Sequence, residues 1–352
     1  MASALSNDAQ PPVNPFAAQQ KMLGERLQLL LAALHPTLRT DVVQAIKGEG
    51  KLLSQSRIDV NSLSPSLPAG VWALLTLLVA QHISPKIDPQ CASSVAIAVE
   101  CFICALDLLD DVEDDDQTPI MQALGAARTL NVSTTLLMLA QKAILSLSQQ
   151  GVLPELIFRL LNTLQESALV ATAGQHQDLL AEQRLAQDLT QEECIEIAAG
   201  KAGSLMRLAC RLGALCAGAD NDLCEKFSEL GELLGIAHQL DNDAHDLYDL
   251  LQGHTSAVIP TGAKFASGSV KTDLVRGKKT LPVVIAAKKD DALKDISSLA
   301  DEENKEYLRA LQEGIITTWG ICLLYRERAR DRLQEIEAQQ PIAPILHILL
   351  GL

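Results

Sequence analysis

Aromatic and basic side chains are scarce in this chain of 352 residues. Phe, Trp and Tyr make up 3% of it, and runs in which β-branched and aromatic residues alternate with polar ones are rare, which disfavours a fold built on β-sheets. Lys and Arg number 29 against 44 Asp and Glu, a formal net charge of −15. This excess of negative charge argues against nucleic acid as a partner, because the phosphates of nucleic acid require Lys and Arg.

Disulfide spacing and targeting segments are also missing. The closest pair among the eight cysteines, Cys101 and Cys104, lies among apolar residues, as buried thiols do. Residues 1–20 have neither the basic start nor the apolar core of a signal peptide, and we expect them to form a disordered tail. We expect the apolar runs near 71–83 and 97–109 to be too short or too interrupted to span a bilayer. The sequence therefore predicts a cytoplasmic protein with no stable membrane span.

Apolar residues recur every three or four positions along most of the chain, which indicates helices almost throughout. The predicted helical segments are 21–47 with a break near Pro36, 70–83, 90–113, 118–148, 153–183, 190–218, 221–251 and 301–338. A loop rich in Gly, Ser and Thr is expected at 252–279, and Pro282 suits the first turn of the helix that follows it. No linker forces a domain boundary, so we expect residues 21–352 to form one large all-α domain.

An acidic cluster follows directly after one of these apolar runs. LDLLDDVEDDD, residues 106–116, places seven carboxylates in eleven positions. On a helix Asp107, Asp110 and Asp114 share one face, with Asp111 beside it. Such like charges repel one another unless a cation neutralises them. Mg²⁺ prefers oxygen ligands and takes one or two protein carboxylates, the rest of its shell being water and phosphate oxygens.

A second polar cluster, QLDNDAHD at 239–246, follows another apolar run. Asn242 and Asp246 are one helical turn apart in it, and Asp243 is adjacent. Two such clusters on separate helices can face each other across a bundle and hold several Mg²⁺ ions around one diphosphate. The segment DLVRGKKTLP at 273–282 adds a basic loop suited to a phosphate. Its positive side chains are Arg276, Lys278 and Lys279.

The three motifs, in this order, resemble those of the trans-polyprenyl diphosphate synthases. GQHQDL at 174–179 is similar to that family's GQ..DL element, and AAGKAG at 198–203 is similar to its Lys-Thr helix, with Ala202 in the place of Thr. The resemblance implies the isoprenoid synthase type I fold, an all-α bundle of ten or more helices around a central cavity. It also implies an enzyme, commonly a homodimer, in which three Mg²⁺ ions help to release diphosphate from an allylic prenyl substrate and leave a carbocation.

Carried over residue by residue, the resemblance implies roles for individual side chains. The expected metal ligands are Asp110, Asp111, Asp114, Asn242, Asp243 and Asp246. The expected diphosphate-binding residues are Lys201, Lys278, Lys279 and Arg276. Gln175 and Gln239 would line the cavity near the cation. Ala105 stands where bulky residues limit chain length in the family, which leaves room for 15 to 20 carbons above Phe102 as the floor.

The part of the family pattern that binds isopentenyl diphosphate is poorly matched. Its basic loop corresponds to GEGKLLSQS at 48–56, which keeps Lys51 but lacks the arginine. Ile103 stands in the place of a histidine, and no arginine pair follows the first acidic motif. Arg57 and Arg128 are the remaining candidates for these contacts. A second diphosphate without such partners would be costly to bury.

Three functions remain open on this evidence. The carbocation passes to another acceptor, as in the relatives that prenylate a competence-pheromone peptide, or it is cyclised or quenched as a terpene. Alternatively the chain is an elongating synthase with unusual anion contacts, or a non-catalytic subunit of a heteromeric synthase. Both acidic motifs survive, which disfavours a non-catalytic subunit, and the missing cations favour the first function. The second metal motif of terpene cyclases is matched by Asn242 and Asp246 but not by Leu250 at its last position.

Overall fold

The computed structural model describes residues 14–48, 50–54, 69–254, 278–288 and 305–352. In these ranges the chain is all helix and connecting segments, without a strand, so the all-α prediction is confirmed. The helices are α1 Ala17–Leu31, α2 Pro36–Ile46, α3 Val71–Ile83, α4 Pro89–Glu113, α5 Pro119–Leu145, α6 Pro154–Glu182, α7 Gln191–Ala198, α8 Ser204–Cys216, α9 Asn221–His254, α10 Leu281–Ala287, α11 Lys305–Glu337 and α12 Pro344–Leu350.

The N-terminal helices depart from the predicted tail boundary. Helix α1 begins at Ala17, so residues 17–20 are not part of a disordered tail, while residues 1–13 lie outside the described residues. The reason is Phe16, which is buried in the main hydrophobic core and fixes the start of the helix. The predicted break near Pro36 is confirmed, because Pro36 starts α2 where its missing N–H costs little.

Helix α4 forms the centre of the bundle. Asp88 caps its N-terminus by accepting a hydrogen bond from the backbone N–H of Gln90 at 2.8 Å. Every residue from Cys91 to Ala105 is buried, and α3, α5 and α8 pack around the helix. All eight cysteines are free and buried, which confirms the prediction of buried thiols for Cys101 and Cys104. Asp110 and its neighbours therefore lie at the C-terminal end of a helix whose preceding turns are buried in the core.

The expectation about membrane spans requires a correction. The run near 71–83 forms the short helix Val71–Ile83, as predicted. The run near 97–109 is part of Pro89–Glu113, which, like Pro119–Gln150, is long and apolar enough to cross a membrane by length and composition. However, 83% of the apolar stretch in Pro89–Glu113 is buried inside the protein, against 44% for Pro119–Gln150. In α4 the apolar length serves packing against other helices.

The C-terminal half differs in detail from the predicted segments. The stretch 190–218 contains two α-helices, α7 and α8, joined by a π-helical turn at Ala199–Gly203. Helix α9 extends to His254, into the predicted loop, of which residues 255–277 lie outside the described residues. Pro282 lies in the first turn of α10, as predicted. Helix α12 was not predicted from the sequence.

A buried carboxyl joins the segment 50–54 to α4. Glu100 accepts a hydrogen bond from the backbone N–H of Leu52 at 2.8 Å. Burial raises the pKa of Glu100, and Lys51 and the backbone N–H groups of Leu52 and Ala73 only partly oppose this rise. The carboxyl therefore fixes the chain next to Lys51 against the central helix.

Glu100 makes stability depend on pH. In the unfolded chain its carboxyl ionises near 4.5, so above that pH the folded protein, with its raised pKa, holds the proton more tightly than the unfolded chain. The free energy of unfolding therefore falls as the pH rises from 4.5 through the folded-state pKa. We expect this decline to be smaller in Glu100→Gln than in the wild type. Urea unfolding between about pH 5 and pH 8 measures it.

The exposed Glu166 provides the control for that experiment. Glu166→Gln removes a carboxylate from the surface of α6 and should leave the pH dependence of the wild type unchanged. An identical decline in the wild type and in Glu100→Gln would show that the buried carboxyl does not titrate in this range.

Candidate active site

A lysine of the π-helical turn reaches the first acidic motif. Nζ of Lys201 lies 2.6 Å from Oδ2 of Asp178 on α6 and 3.3 Å from Oδ1 of Asp110 on α4. Burial by itself would lower the pKa of Lys201, but the charges of Asp110 and Asp178 outweigh it and the pKa is raised. Lys201 is therefore a charged ammonium at neutral pH, aimed at the end of α4.

A tight packing of glycines holds this lysine in place. A Cβ atom on Gly174 would lie 2.6 Å from the carbonyl carbon of Gly200, closer than packed atoms approach. Helix α6 and the π-helical turn can approach this closely only because both positions are glycine. The residue after Gly174 is Gln175, whose two amide atoms are buried and have no hydrogen-bond partner in the described part of the chain. Such an amide is available to a bound molecule.

A second lysine contacts the same acidic motif from the loop before α10. Nζ of Lys278 lies 2.5 Å from Oδ2 of Asp114, and their side chains are only 10% and 1% exposed. Oδ1 of Asp114 is buried and has no hydrogen-bond partner among the described residues. Lys201 and Lys278 are near enough for the charge of Lys278 to oppose the pKa rise of Lys201. Two ammonium groups and two carboxylates thus converge at the end of α4.

The other carboxylates of the first motif are also positioned. The Thr118 hydroxyl, at the N-terminus of α5, donates a hydrogen bond to Oδ2 of Asp111 at 3.0 Å. Asp115, within the same acidic stretch, adopts a left-handed backbone conformation with a φ of 52° just after the end of α4. Lys51 forms an ion pair with Asp107, one turn before Asp110. The segment that Glu100 fixes therefore brings a third lysine to the acidic cluster.

The second motif presents two different faces of α9. Gln239 donates a hydrogen bond to Oδ1 of Asp243 at 2.9 Å, and Asp246 lies one turn further along that face. Asn242 is exposed, and its amide lies 3.4 Å from the ring of His238. Asp241 lies on another face, where it pairs with His245 at 3.3 Å. Of the predicted ligands on α9, Asp243 is held in place by a neighbouring side chain, and Asn242 is turned towards a histidine.

These oxygen ligands form an open set, which suits Mg²⁺, and not a closed site in which the protein alone surrounds the metal. No group of three or more His, Cys, Asp or Glu side chains in the described ranges is arranged to hold a metal ion by itself. An open arrangement of carboxylate oxygens is what Mg²⁺ uses when phosphate oxygens and water complete its shell. The unpartnered oxygen of Asp114 is one ligand of that kind. The residues therefore fit Mg²⁺ bound together with a diphosphate.

The depth-limiting positions on α4 are closely packed. Ala105 and Phe102 are buried, and the backbone carbonyl of Ala105 accepts a hydrogen bond from the Ser133 hydroxyl at 2.9 Å. Ile103, in the place of the family's histidine, is also buried. These three positions are apolar and buried, and the Ser133 hydroxyl joins Ala105 directly to α5.

Some candidates lie elsewhere or outside the described residues. Arg276 and Arg57 are outside them. Arg128, a candidate for the missing anion contacts, instead contacts Asp41 on α2 with two nitrogens, the closest atoms being 2.6 Å apart. Lys279 is partly buried, which lowers its pKa.

Sequence reasoning assigned no role to Asp178 and overlooked Glu182 and Thr118. Burial and the neighbouring Asp114 raise the pKa of Glu182, which places this carboxyl near the end of the first motif. A signal was present, because Gln175, Asp178 and Glu182 are spaced three and four apart and share one face of α6. Thr118 carries no such signal, since its contact with Asp111 depends on how the chain turns between α4 and α5.

Comparisons with known proteins agree with this geometry. A family model described as polyprenyl synthetase matches residues 71–315. The geranylfarnesyl diphosphate synthase of Aeropyrum pernix is 26% identical over 276 residues, which span 75% of this chain and 82% of that protein. The tryptophan prenyltransferase ComQ of Bacillus spizizenii is 32% identical over 155 residues, which span 44% of this chain and 50% of that protein.

Solved structures support the same fold. A geranylgeranyl pyrophosphate synthase matches with a TM-score of 0.72 at 20% identity, covering 96% of this chain and 99% of the other. The geranylgeranyl pyrophosphate synthetase of Geoglobus acetivorans matches with a TM-score of 0.71 at 20% identity, covering 95% and 97%. These likenesses confirm the predicted isoprenoid synthase fold. With the family match over most of its length, this chain belongs to the polyprenyl synthetase family.

Proposed function

We propose that this protein releases diphosphate from an allylic prenyl diphosphate of 15 to 20 carbons in the presence of Mg²⁺. The resulting carbocation is then captured by an acceptor other than isopentenyl diphosphate, or cyclised or quenched in the cavity. The observation that carries the proposal is the convergence of Lys201 and Lys278 on Asp110 and Asp114. Family membership supports prenyl diphosphates as the compound class.

The two lysines are suited to hold the leaving diphosphate. In the absence of substrate their charges are balanced by Asp110, Asp114 and Asp178. A bound diphosphate would accept hydrogen bonds from the same ammonium groups, and its growing negative charge would be stabilised by donors already in place. Because Asp178 keeps Lys201 oriented from the side of α6, the lysine needs little rearrangement when the substrate binds.

We propose three Mg²⁺ ions in the loaded enzyme. Asp110, Asp111 and Asp114 would hold them from α4, with Asp243 and Asp246 doing so from α9. When bound, Mg²⁺ supplies positive charge that stabilises the departing diphosphate. Thr118 and Gln239 keep two of these carboxylates in fixed positions through hydrogen bonds of 3.0 and 2.9 Å. Asn242 would join only by turning away from His238.

The apolar wall protects the carbocation from water. Phe102, Ile103 and Ala105 are all buried and present no charged group. Gln175 would place its unpartnered amide beside the carbocation, where the amide oxygen would stabilise the positive charge.

The contacts expected for a second diphosphate are incomplete, which supports an acceptor of another kind. Ile103 is apolar and buried, and Arg128 is engaged with Asp41. Among the described residues that correspond to the family's isopentenyl site, Lys51 is the only cation, and it is paired with Asp107. A dianion held by one lysine beside several carboxylates would be poorly neutralised.

Chain elongation with isopentenyl diphosphate is the second candidate function. The position of Lys51 favours it, because this lysine reaches the acidic cluster from the loop that corresponds to the family's basic loop. Two relatives also favour it, since those of Aeropyrum pernix and Methanothermobacter thermautotrophicus are named as isoprenyl-type diphosphate synthases and each match covers 75% of this chain.

Product analysis separates the two functions. We expect purified protein with Mg²⁺ and farnesyl or geranylgeranyl diphosphate to release diphosphate without isopentenyl diphosphate. The organic product should be a hydrocarbon or an alcohol, or an adduct when a nucleophilic acceptor is supplied. Mass spectrometry identifies the product, and a coupled assay measures diphosphate. Longer prenyl diphosphates that form only with isopentenyl diphosphate would establish elongation instead.

A further inference from the structure

A cavity of about 310 Å³ lies between α1, α4 and α5, remote from the acidic motifs. Its lining is mainly apolar and includes Leu30 of α1 and Ile97 of α4. Ile97 precedes Asp110 on the same straight helix by about 20 Å, at 1.5 Å per residue. The volume is at the lower end of the range for small-molecule sites.

Two positive side chains face this cavity and have no acidic partner. Arg26 of α1 and Lys142 of α5 line it, and none of the lining residues is acidic. Arg26 donates a hydrogen bond to the Ser146 hydroxyl at 3.0 Å. Within the part of the chain that the structure describes, neither Arg26 nor Lys142 forms an ion pair.

Acidic residues outnumber basic ones in this chain, yet none lines the cavity beside these two cations. Elsewhere acidic residues neutralise basic side chains, as Glu232 does for Arg207 at 2.7 Å and Asp222 does for Lys226 at 2.6 Å. Cations that are left without acids beside an apolar cavity are suited to an anion that carries its own apolar part.

The edge of the cavity is apolar as well. Leu29 and Leu145 line it and are 68% and 52% exposed. A chain that left the cavity would pass over these leucines, which would bury apolar surface that now contacts water. A concave site of limited volume fits one such chain, whereas an acidic protein of net charge −15 would be repelled by an anionic membrane.

We propose that this cavity is a second binding site, for one single-chain amphiphile with a phosphate or diphosphate head. Arg26 and Lys142 bind the head, and the apolar lining takes part of the chain. Prenyl diphosphates belong to this class. The inference uses that compound class but no step of the proposed reaction, because binding here requires neither Mg²⁺ nor the two acidic motifs.

Calorimetric titration with farnesyl diphosphate in EDTA tests the proposal. Without Mg²⁺ the carboxylates of the active site repel a diphosphate, so the remaining binding reports the second site. We expect one molecule to bind per chain, and binding to persist in Lys201→Met. We expect Arg26→Gln/Lys142→Gln to weaken it at least tenfold. The matched control, Arg159→Gln/Lys86→Gln, removes the same charge from exposed positions that do not line the cavity, and it should bind like the wild type.

Two partial ligands sharpen the result. Farnesol lacks the anionic head and inorganic diphosphate lacks the chain, so each should bind at least tenfold more weakly than farnesyl diphosphate. Equal binding of inorganic diphosphate, or unchanged binding by the double variant, would overturn the proposal. So would binding only to phosphatidylglycerol vesicles in a sedimentation assay, which would indicate a membrane contact. Loss of Mg²⁺-dependent diphosphate release would not affect this test, so the two proposals fail separately.

Discussion

Asp110→Asn and Asp243→Asn are each expected to lower Mg²⁺-dependent release of diphosphate by at least about 100-fold, because a metal site contributes several kcal/mol to stabilising the leaving group. The two residues lie on different helices, α4 and α9, so parallel losses would show that both helix ends serve one site. Initial rates with farnesyl or geranylgeranyl diphosphate, measured by a coupled diphosphate assay over a range of Mg²⁺ concentrations, provide the test. A higher Mg²⁺ requirement should accompany the lower rate.

Glu113→Gln is the matched control. Glu113 belongs to the same acidic stretch, is exposed, and is not one of the proposed metal ligands. Its removal changes the net charge by the same amount and should leave the rate within about threefold of the wild type, as surface changes usually do. Thermal unfolding of the Mg²⁺-free proteins should show only small changes in melting temperature. In Asp110→Asn the relief of repulsion among like charges offsets the lost contact with Lys201, and in Asp243→Asn it offsets a weaker hydrogen bond with Gln239. Wild-type rates in both variants would rule out these metal positions.

The fold could be predicted from the sequence because helices follow local rules. The three- and four-residue spacing, Pro36 and Pro282 placed the helices to within a few residues. Local rules failed where tertiary contacts decide, as at Ala17, where the buried Phe16 starts a helix inside an apparent tail. The π-helical turn in the segment 190–218 is a second case, because it depends on the close approach of α6.

The motifs of the candidate site could be predicted from the sequence, but the ion pairs between their residues could not. Spacing on a helix shows that Asp110 and Asp114 share a face, but the partners of these residues lie 91 and 164 positions away in the chain. Lys201 therefore pairs with Asp110 and Lys278 with Asp114 for reasons that no local pattern contains. Arg128 shows the opposite error. Its position in the sequence made it a candidate for binding an anion at the site, but in the structure it forms an ion pair with Asp41 on α2.

Lys201→Met is expected to reduce kcat/KM for diphosphate release by about 100- to 1,000-fold, the usual cost of removing one donor that stabilises developing charge. The pKa of Lys201 is raised by Asp110 and Asp178, so this ammonium is charged throughout the neutral pH range. The loss should therefore be similar from about pH 6 to pH 9. Inorganic diphosphate should also become a weaker competitive inhibitor, because it binds to the same group. Steady-state kinetics with and without added diphosphate measure both effects.

Lys226 offers a matched control for this substitution. The two side chains are 17% and 18% exposed, and each lies 2.6 Å from an aspartate, Asp178 in one case and Asp222 in the other. Lys226→Met therefore removes a lysine of similar exposure from an ion pair outside the site, whose aspartate is 68% exposed against 19% for Asp178. If Lys201 served only to stabilise the fold, Lys201→Met would lower the melting temperature and, like Lys226→Met, leave inhibition by diphosphate unchanged. Weaker inhibition in Lys201→Met but not in Lys226→Met would show that Lys201 binds the leaving diphosphate, whichever acceptor captures the carbocation.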